Sequence, residues 1–169
     1  MSTNNTIKGR AWKFGNNVST DSIAPGRLTY LRSQPEEFAK HVLEDANPEF
    51  PKNVKQGDFI VAGDNFGCGS SREIAPLIIK LSGVGAVMAK SFGRIFYRNA
   101  INNGMRLIQI DTGQIADGDA LTVDLDSDTV TKEKDPSFKA SFSNTEVESK
   151  IIAEGGLLNY ISKHGSLPV

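Results

Sequence analysis

Cysteine is almost absent: Cys68 stands alone in 169 residues. One thiol forms no internal disulfide and cannot supply the several thiolates that hold an iron–sulfur cluster. Histidine is nearly as scarce. His41 and His164 are the two in the chain, one on an expected surface helix and one in the tail, so the sequence offers no metal site. No uninterrupted apolar run approaches the ~20 residues that cross a bilayer. The segment Met1 to Thr6 has neither the basic nor the apolar region of a signal peptide, which makes the cytoplasm the expected location. Excess charge of either sign is missing too. Lys and Arg number 19 against 20 Asp and Glu, and no basic cluster marks a nucleic-acid face. With 38% hydrophobic and 23% charged residues, an ordinary soluble fold is expected. The length suits one domain over residues 1–169.

Against these absences stands one dense stretch, Gly67-Cys68-Gly69-Ser70-Ser71-Arg72-Glu73. Glycine lets a backbone approach a ligand closely and adopt conformations closed to other residues. The free N–H groups where a helix starts favour an anion. Arg72 adds a planar fork that matches a carboxylate. Together these residues describe a carboxylate-binding turn with a serine beside the reacting carbon. Ser70 and Glu73 also have the spacing of a helix capping box. The two glycines and the adjacent arginine favour the functional alternative.

Around this turn, apolar runs and breakers outline the chain. Phe59 to Ala62 has the composition of a buried strand that delivers the turn. Pro76 to Leu81 continues as a helix ending at Gly83. Val84 to Ala89 is a second buried strand, Arg94 to Asn103 a helix stopped by Gly104, and Leu107 to Ile110 a third strand. Strand, helix, strand, helix, strand predicts a parallel α/β sheet, with ligands beyond the carboxyl ends of its strands. From Gly113 to Phe142, acidic turns and short alternations such as Leu121 to Leu125 predict antiparallel strands on the same body. Capping boxes at Ser33–Glu36 and Ser143–Glu146 introduce further helices, the first carrying Phe38, Val42 and Leu43 on one face. On the helix from Arg94, the expectation is that Ile95, Phe96 and Ala100 pack inward. Arg94, Arg98 and Asn99 then meet a neighbouring chain or solvent. The stretch Thr20 to Ser33 has the make-up of a polar loop with an Asx turn at Asp21.

The run Gly63-Asp64-Asn65-Phe66-Gly67-Cys68-Gly69-Ser70-Ser71-Arg72-Glu73, with Ala75-Pro76, resembles the swivel domain of the aconitase superfamily. Within it, the chain is most similar to the free-standing small subunits of the 3-isopropylmalate dehydratase type. Segments at Gly9–Arg27, Lys90–Gly104 and Gly155–Ile161 resemble that family in the same order. The resemblance implies a single swivelling β/β/α domain, a mixed sheet with flanking helices. It also implies a hydro-lyase that removes water from a 2-hydroxy dicarboxylic acid and returns it at the neighbouring carbon, as in leucine biosynthesis. The chain would act only with a larger subunit carrying a 4Fe–4S cluster, and would itself bind no cofactor or metal.

The resemblance carries the catalytic base onto Ser70 and substrate binding onto Ser71, Arg72, Thr20, Asp21, Tyr30, Leu31 and Arg32. Tyr30-Leu31-Arg32-Ser33 resembles the loop that accompanies isopropylmalate more than the form that accompanies homoaconitate. Three departures stand out: Ser33 where threonine is usual, the extra Leu28-Thr29, and Ile74 where histidine or glutamine is common. Ile74 keeps 2,3-dimethylmalate dehydratase open beside homoaconitase. A non-enzymatic, RNA-binding module is the rival from another class. The balanced charge speaks against it, as does the intact Ser70, Ser71 and Arg72 set.

Overall fold

The structure is a computed structural model that describes residues 5–169. Its strands are β1 (Thr6–Lys13), β2 (Phe59–Val61), β3 (Ala86–Ala89), β4 (Leu107–Gln109), β5 (Ala120–Asp124), β6 (Thr129–Lys132) and β7 (Asp135–Ser141). They form one mixed sheet in the order β4-β3-β2-β1-β5-β6-β7. The half from β1 to β4 is parallel, as the strand–helix alternation predicts. The half from β1 through β7 is antiparallel. β1 belongs to both: Thr6–Arg10 pairs with β5, and Ala11–Lys13 pairs with β2.

The parallel strands read as unbroken apolar runs because both their faces are covered. Trp12, Ile60, Val87 and Leu107 point into a cluster completed by Phe38, Ile78, Phe96 and Ile151 from the helices. Their neighbours Ala11, Phe59, Val61, Met88 and Ile108 point the other way. There they join Leu121, Val123 and Val130 from the antiparallel half. The helices are α1 (Thr20–Ile23), α2 (Pro35–Ala39), α3 (Glu49–Asn53), α4 (Ile74–Leu81), α5 (Arg94–Asn102), α6 (Glu146–Ala153) and α7 (Leu157–His164). A buried carboxylate ties β1 to the start of β2. Asp58 accepts hydrogen bonds from Trp12 Nε1 at 3.0 Å, the Arg10 N–H at 3.0 Å and the Lys55 N–H at 2.9 Å.

Several local expectations are corrected. Ser33 does not cap α2. Gln34 occupies that position without a side-chain bond, and the helix ends at Ala39. Leu43 then takes a positive φ of 56° and donates its N–H to the Ile23 carbonyl at 3.0 Å. That tertiary bond replaces the continued helix, while Phe38, Val42 and Leu43 are all buried as expected. The third capping box is displaced by two residues, to Thr145 and Glu148. Starting α6 there turns Ile151 and Ile152 inward and brings the Glu148 carboxylate within 3.1 Å of the Tyr97 hydroxyl. Ile95 faces outward, 54% exposed, whereas Phe96 and Ala100 are buried.

Candidate active site

The glycine turn leaves β2 and is fastened by main-chain bonds on two sides. On one side Gly67 N–H donates to the Val18 carbonyl at 2.7 Å, and Thr20 N–H donates to the Cys68 carbonyl at 2.8 Å. On the other, Phe66 N–H donates to Ser91 and Gly93 N–H donates to Phe66, at 3.0 and 2.8 Å. Gly67 is required twice over. Its φ is +82°, and a Cβ there would fall 2.2 Å from the Phe96 ring, so no side chain fits.

Ser70 and Ser71 lie on this turn, exposed, ahead of α4. The helix begins at Ile74, and its cap position, Glu73, makes no side-chain capping bond. Ser70 is therefore not a helix cap, and its hydroxyl is not committed to α4. Thr20, only 3% exposed, donates its hydroxyl to the Ser70 carbonyl at 2.8 Å. One residue along, Asp21 Oδ1 lies 3.1 Å from Arg72 Nη2. The Asx turn expected at Asp21 does not form, because Ser19 caps α1 instead by accepting from the Ser22 N–H at 3.1 Å. Asp21 is left to face the arginine, and a Cβ on Gly26 would stand 2.5 Å from Asp21 Oδ1. A guanidinium has five N–H donors in a fixed fork, so one contact to Asp21 leaves an edge for a second carboxylate.

The remaining expected site residues are spread more widely. Gly26–Leu31 is a 3₁₀ turn; Tyr30 at its end is 72% exposed, and Leu31 packs against the helical-side core. Arg32 lines an open cavity of about 520 Å³ with Pro35, Glu73, Ile74 and Leu77, bordered by residues of α5 and α7. Arg32 thus meets Ile74 across one cavity. Sequence reasoning named both but did not join them, since residues so far apart in the chain carry no local sign of contact. Phe96 was expected to turn inward, but its packing on Gly67 was missed for the same reason; the Ser19 cap is local, three residues from Ser22, and was passed over in favour of the Asx turn at Asp21.

The family model of the aconitase C-terminal domain matches residues 10–113. This chain belongs to that family. Among curated relatives, 3-isopropylmalate dehydratase small subunit 2 of Archaeoglobus fulgidus is 54% identical over 95% of this chain and 98% of its own length. Small subunit 1 of the same enzyme from Thermotoga maritima is 51% identical over 96% of this chain and 98% of its own. The methanogen homoaconitase small subunit of Methanocaldococcus jannaschii is 51% identical over 93% of this chain and 92% of its own. The crystal structure of 3-isopropylmalate dehydratase (leuD) from that organism superposes with a TM-score of 0.89, at 49% identity, over 95% of each chain. The mixed seven-stranded sheet with flanking helices is thus the family fold.

An iron–sulfur cluster does not fit this chain's own side chains. Cys68 is its one cysteine, and no three His, Cys, Asp or Glu side chains converge as metal ligands among the described residues.

Proposed function

We propose that this chain is the small subunit of a hydro-lyase that dehydrates and rehydrates a 2-hydroxy dicarboxylic acid. The first substrate is the 3-isopropylmalate/2-isopropylmalate pair of leucine biosynthesis. The junction of Thr20 and Asp21 with Ser70 and Arg72, in a chain about half identical to isopropylmalate dehydratase small subunits over nearly its whole length, carries the proposal. Residues 1–169 act as one swivel domain.

In this scheme Arg72 grips a substrate carboxylate through its free edge, with Asp21 holding the guanidinium in orientation. Ser70 Oγ, as alkoxide, takes the proton from the carbon beside that carboxylate. The C–H electron pair becomes the double bond as the hydroxyl leaves the neighbouring carbon as water, with the electrophilic assistance and the proton for that departure coming from the larger subunit. Ser71 binds the substrate alongside. An alkoxide in open water is poorly stabilised, and Ser70 is exposed. Covering by a larger subunit lowers the local dielectric, so that backbone N–H groups and the Arg72 charge act at full strength. The 4Fe–4S cluster implied by the superfamily, lacking a ligand set here, is assigned to that larger subunit.

Substrate choice falls to Tyr30, Leu31 and Arg32. An alkyl side group needs apolar surface, and one methylene is worth only ~1–3 kcal/mol, so alkylmalates overlap as substrates. The homoaconitase relative supports a second choice, homoaconitate, whose third carboxylate Arg32 would meet. Ile74, on the wall shared with Arg32, favours 2,3-dimethylmalate as another.

The test is an activity panel on the reconstituted pair, using isopropylmalate, dimethylmalate, homoaconitate and citrate, repeated with Arg32→Val. Isopropylmalate should lead, and the chain alone should be inactive. Activity without the larger subunit, or none on any substrate with it, overturns the proposal.

A further inference from the structure

β1 and β2 do not part where their ladder ends. Their parallel register, in which Ala11 faces Phe59 and Lys13 faces Val61, runs on through the two loops that carry the site. Asn16 Oδ1 accepts the Asp64 N–H at 2.8 Å, and Asn65 Nδ2 donates to Asn17 Oδ1 at 3.2 Å, both between residues 48 positions apart. That is the spacing of the paired strands themselves. Beyond this rung the turn lengthens. Gly67 N–H donates to Val18, Cys68 faces Ser19, and Thr20 reaches Ser70, 50 positions away. The extra residues on the turn side bow it outward, where Ser70 and Ser71 are exposed. The Asn17–Asn65 pair is the last rung in the register of the sheet.

Both asparagines take a left-handed backbone, with φ of 56° and 59°, a conformation that short polar side chains reach more readily than most. Both are exposed, so burial does not account for them. Their neighbours hold them instead. The Asn17 N–H donates to the Asp64 carbonyl at 2.8 Å, and the Asn65 N–H donates to Ser91 Oγ at 2.8 Å. The two chains thus turn at the same level, and one side-chain bond spans the turn. Left-handed residues other than glycine gather where a functional site needs fixed geometry.

We propose that Asn17 and Asn65 are positioning residues, an inference that rests on the hydro-lyase function above. Their bond fixes the loop of Thr20 and Asp21 against the turn of Ser70 and Arg72. They act through the Thr20–Ser70 bond and touch no reacting atom. A misplacement of ~1 Å at a reacting group can cost about 10²-fold in rate.

Asn17→Gly and Asn65→Gly keep the left-handed backbone and remove the side-chain bond. In the reconstituted enzyme each should lower kcat about fivefold to tenfold, with KM nearly unchanged because Arg72 is retained. The double variant should lose no more than either single one, since the same bond is lost in all three. Asn17→Asp, which keeps an acceptor for Asn65 Nδ2, should recover most of the loss. In a Thr20→Val background, Asn65→Gly should cost little further. Single variants within about twofold of the parent, multiplied losses in the double variant, no recovery with Asn17→Asp, or an undiminished effect beside Thr20→Val each overturns the proposal. Amide hydrogen exchange of the full chain gives a readout apart from catalysis. Asn65→Gly should speed exchange at Gly67 and Thr20 about tenfold and leave the β2 amides slow; unchanged exchange at both overturns the proposal. If the parent pair dehydrates nothing on the panel, the proposed function falls, and exchange at Gly67 and Thr20 alone decides the role of the rung.

Discussion

The Thr20 hydroxyl hydrogen-bonds the Ser70 carbonyl across 2.8 Å, joining residues 50 positions apart. It holds the main chain of the proposed base, leaving the Ser70 side chain unencumbered. A neutral hydrogen bond of this kind contributes about 1 kcal/mol to stability. Thr20→Val should therefore shift the unfolding midpoint little. Turnover of the reconstituted enzyme should fall about tenfold if misplacing Ser70 costs ~1.4 kcal/mol at the barrier. Thr20→Ser should restore it. Steady-state kinetics beside a thermal melt separates the two effects; a fully active Thr20→Val enzyme would show that the bond positions nothing.

Removing the proposed base is a sharper test. Ser70→Ala should lower kcat by about 10²–10⁴ while the subunits still assemble. Arg72→Lys keeps the charge but loses the fork, so it should raise KM and reduce kcat together. Gel filtration of the pair alongside the kinetics checks both. Turnover of Ser70→Ala close to that of the parent would remove Ser70 from the chemistry.

Much of this was legible because the informative signals were continuous in the sequence. Phe59–Ala62 and Val84–Ala89 are apolar throughout, which only strands covered on both faces tolerate, and the glycine turn sits directly after the first of them. Capping patterns were less trustworthy. Ser33, Ser70 and Ser143 each precede a glutamate at the right spacing, yet none caps a helix, while Thr145 does. The spacing is local, but the helix start is chosen by which residues it buries. Ile95 erred by a single step of 100° around α5, enough to move it from core to solvent. The meeting of Arg32 with Ile74, and of Thr20 with Ser70, depends on chain reversals that no local pattern encodes.

Asp58 offers a test of the scaffold. Truncation to alanine leaves the Trp12 indole N–H and two backbone N–H groups without their acceptor in a site that is 5% exposed. The expected loss is about 3 kcal/mol, since hydrogen bonds to charged acceptors contribute ~1.5–3 kcal/mol each and partly recover through water. Urea denaturation of the isolated chain measures it. An unchanged midpoint would mean that β1 and β2 are held by packing alone.

Tyr97 sets an alkaline limit. Burial, with the nearby Glu148 charge and its hydrogen bond, pushes the phenol up to about 12 from an ordinary 10. The folded state thus holds this proton more tightly than the unfolded one. Its contribution is complete below the unfolded value and is lost as pH climbs from about 10 to about 12. Tyr97→Phe should flatten stability across that window and remove the latest tyrosinate absorbance step. A Tyr97→Phe curve parallel to the parent's would assign the alkaline loss to other groups.

The double membership of β1 bears on how the chain matures during translation. The strand emerges first, but its parallel neighbour begins at Phe59 and its antiparallel neighbour at Ala120. A nascent chain that has reached Gly113, the end of the matched family region, can close the parallel half while Thr6–Arg10 still presents a bare edge. Open edges recruit strands from other molecules. The β5–β7 meander, lying wholly outside that region, is then the guard that seals the sheet, and a chain cut at Gly113 would turn the central strand of the finished sheet into an open border.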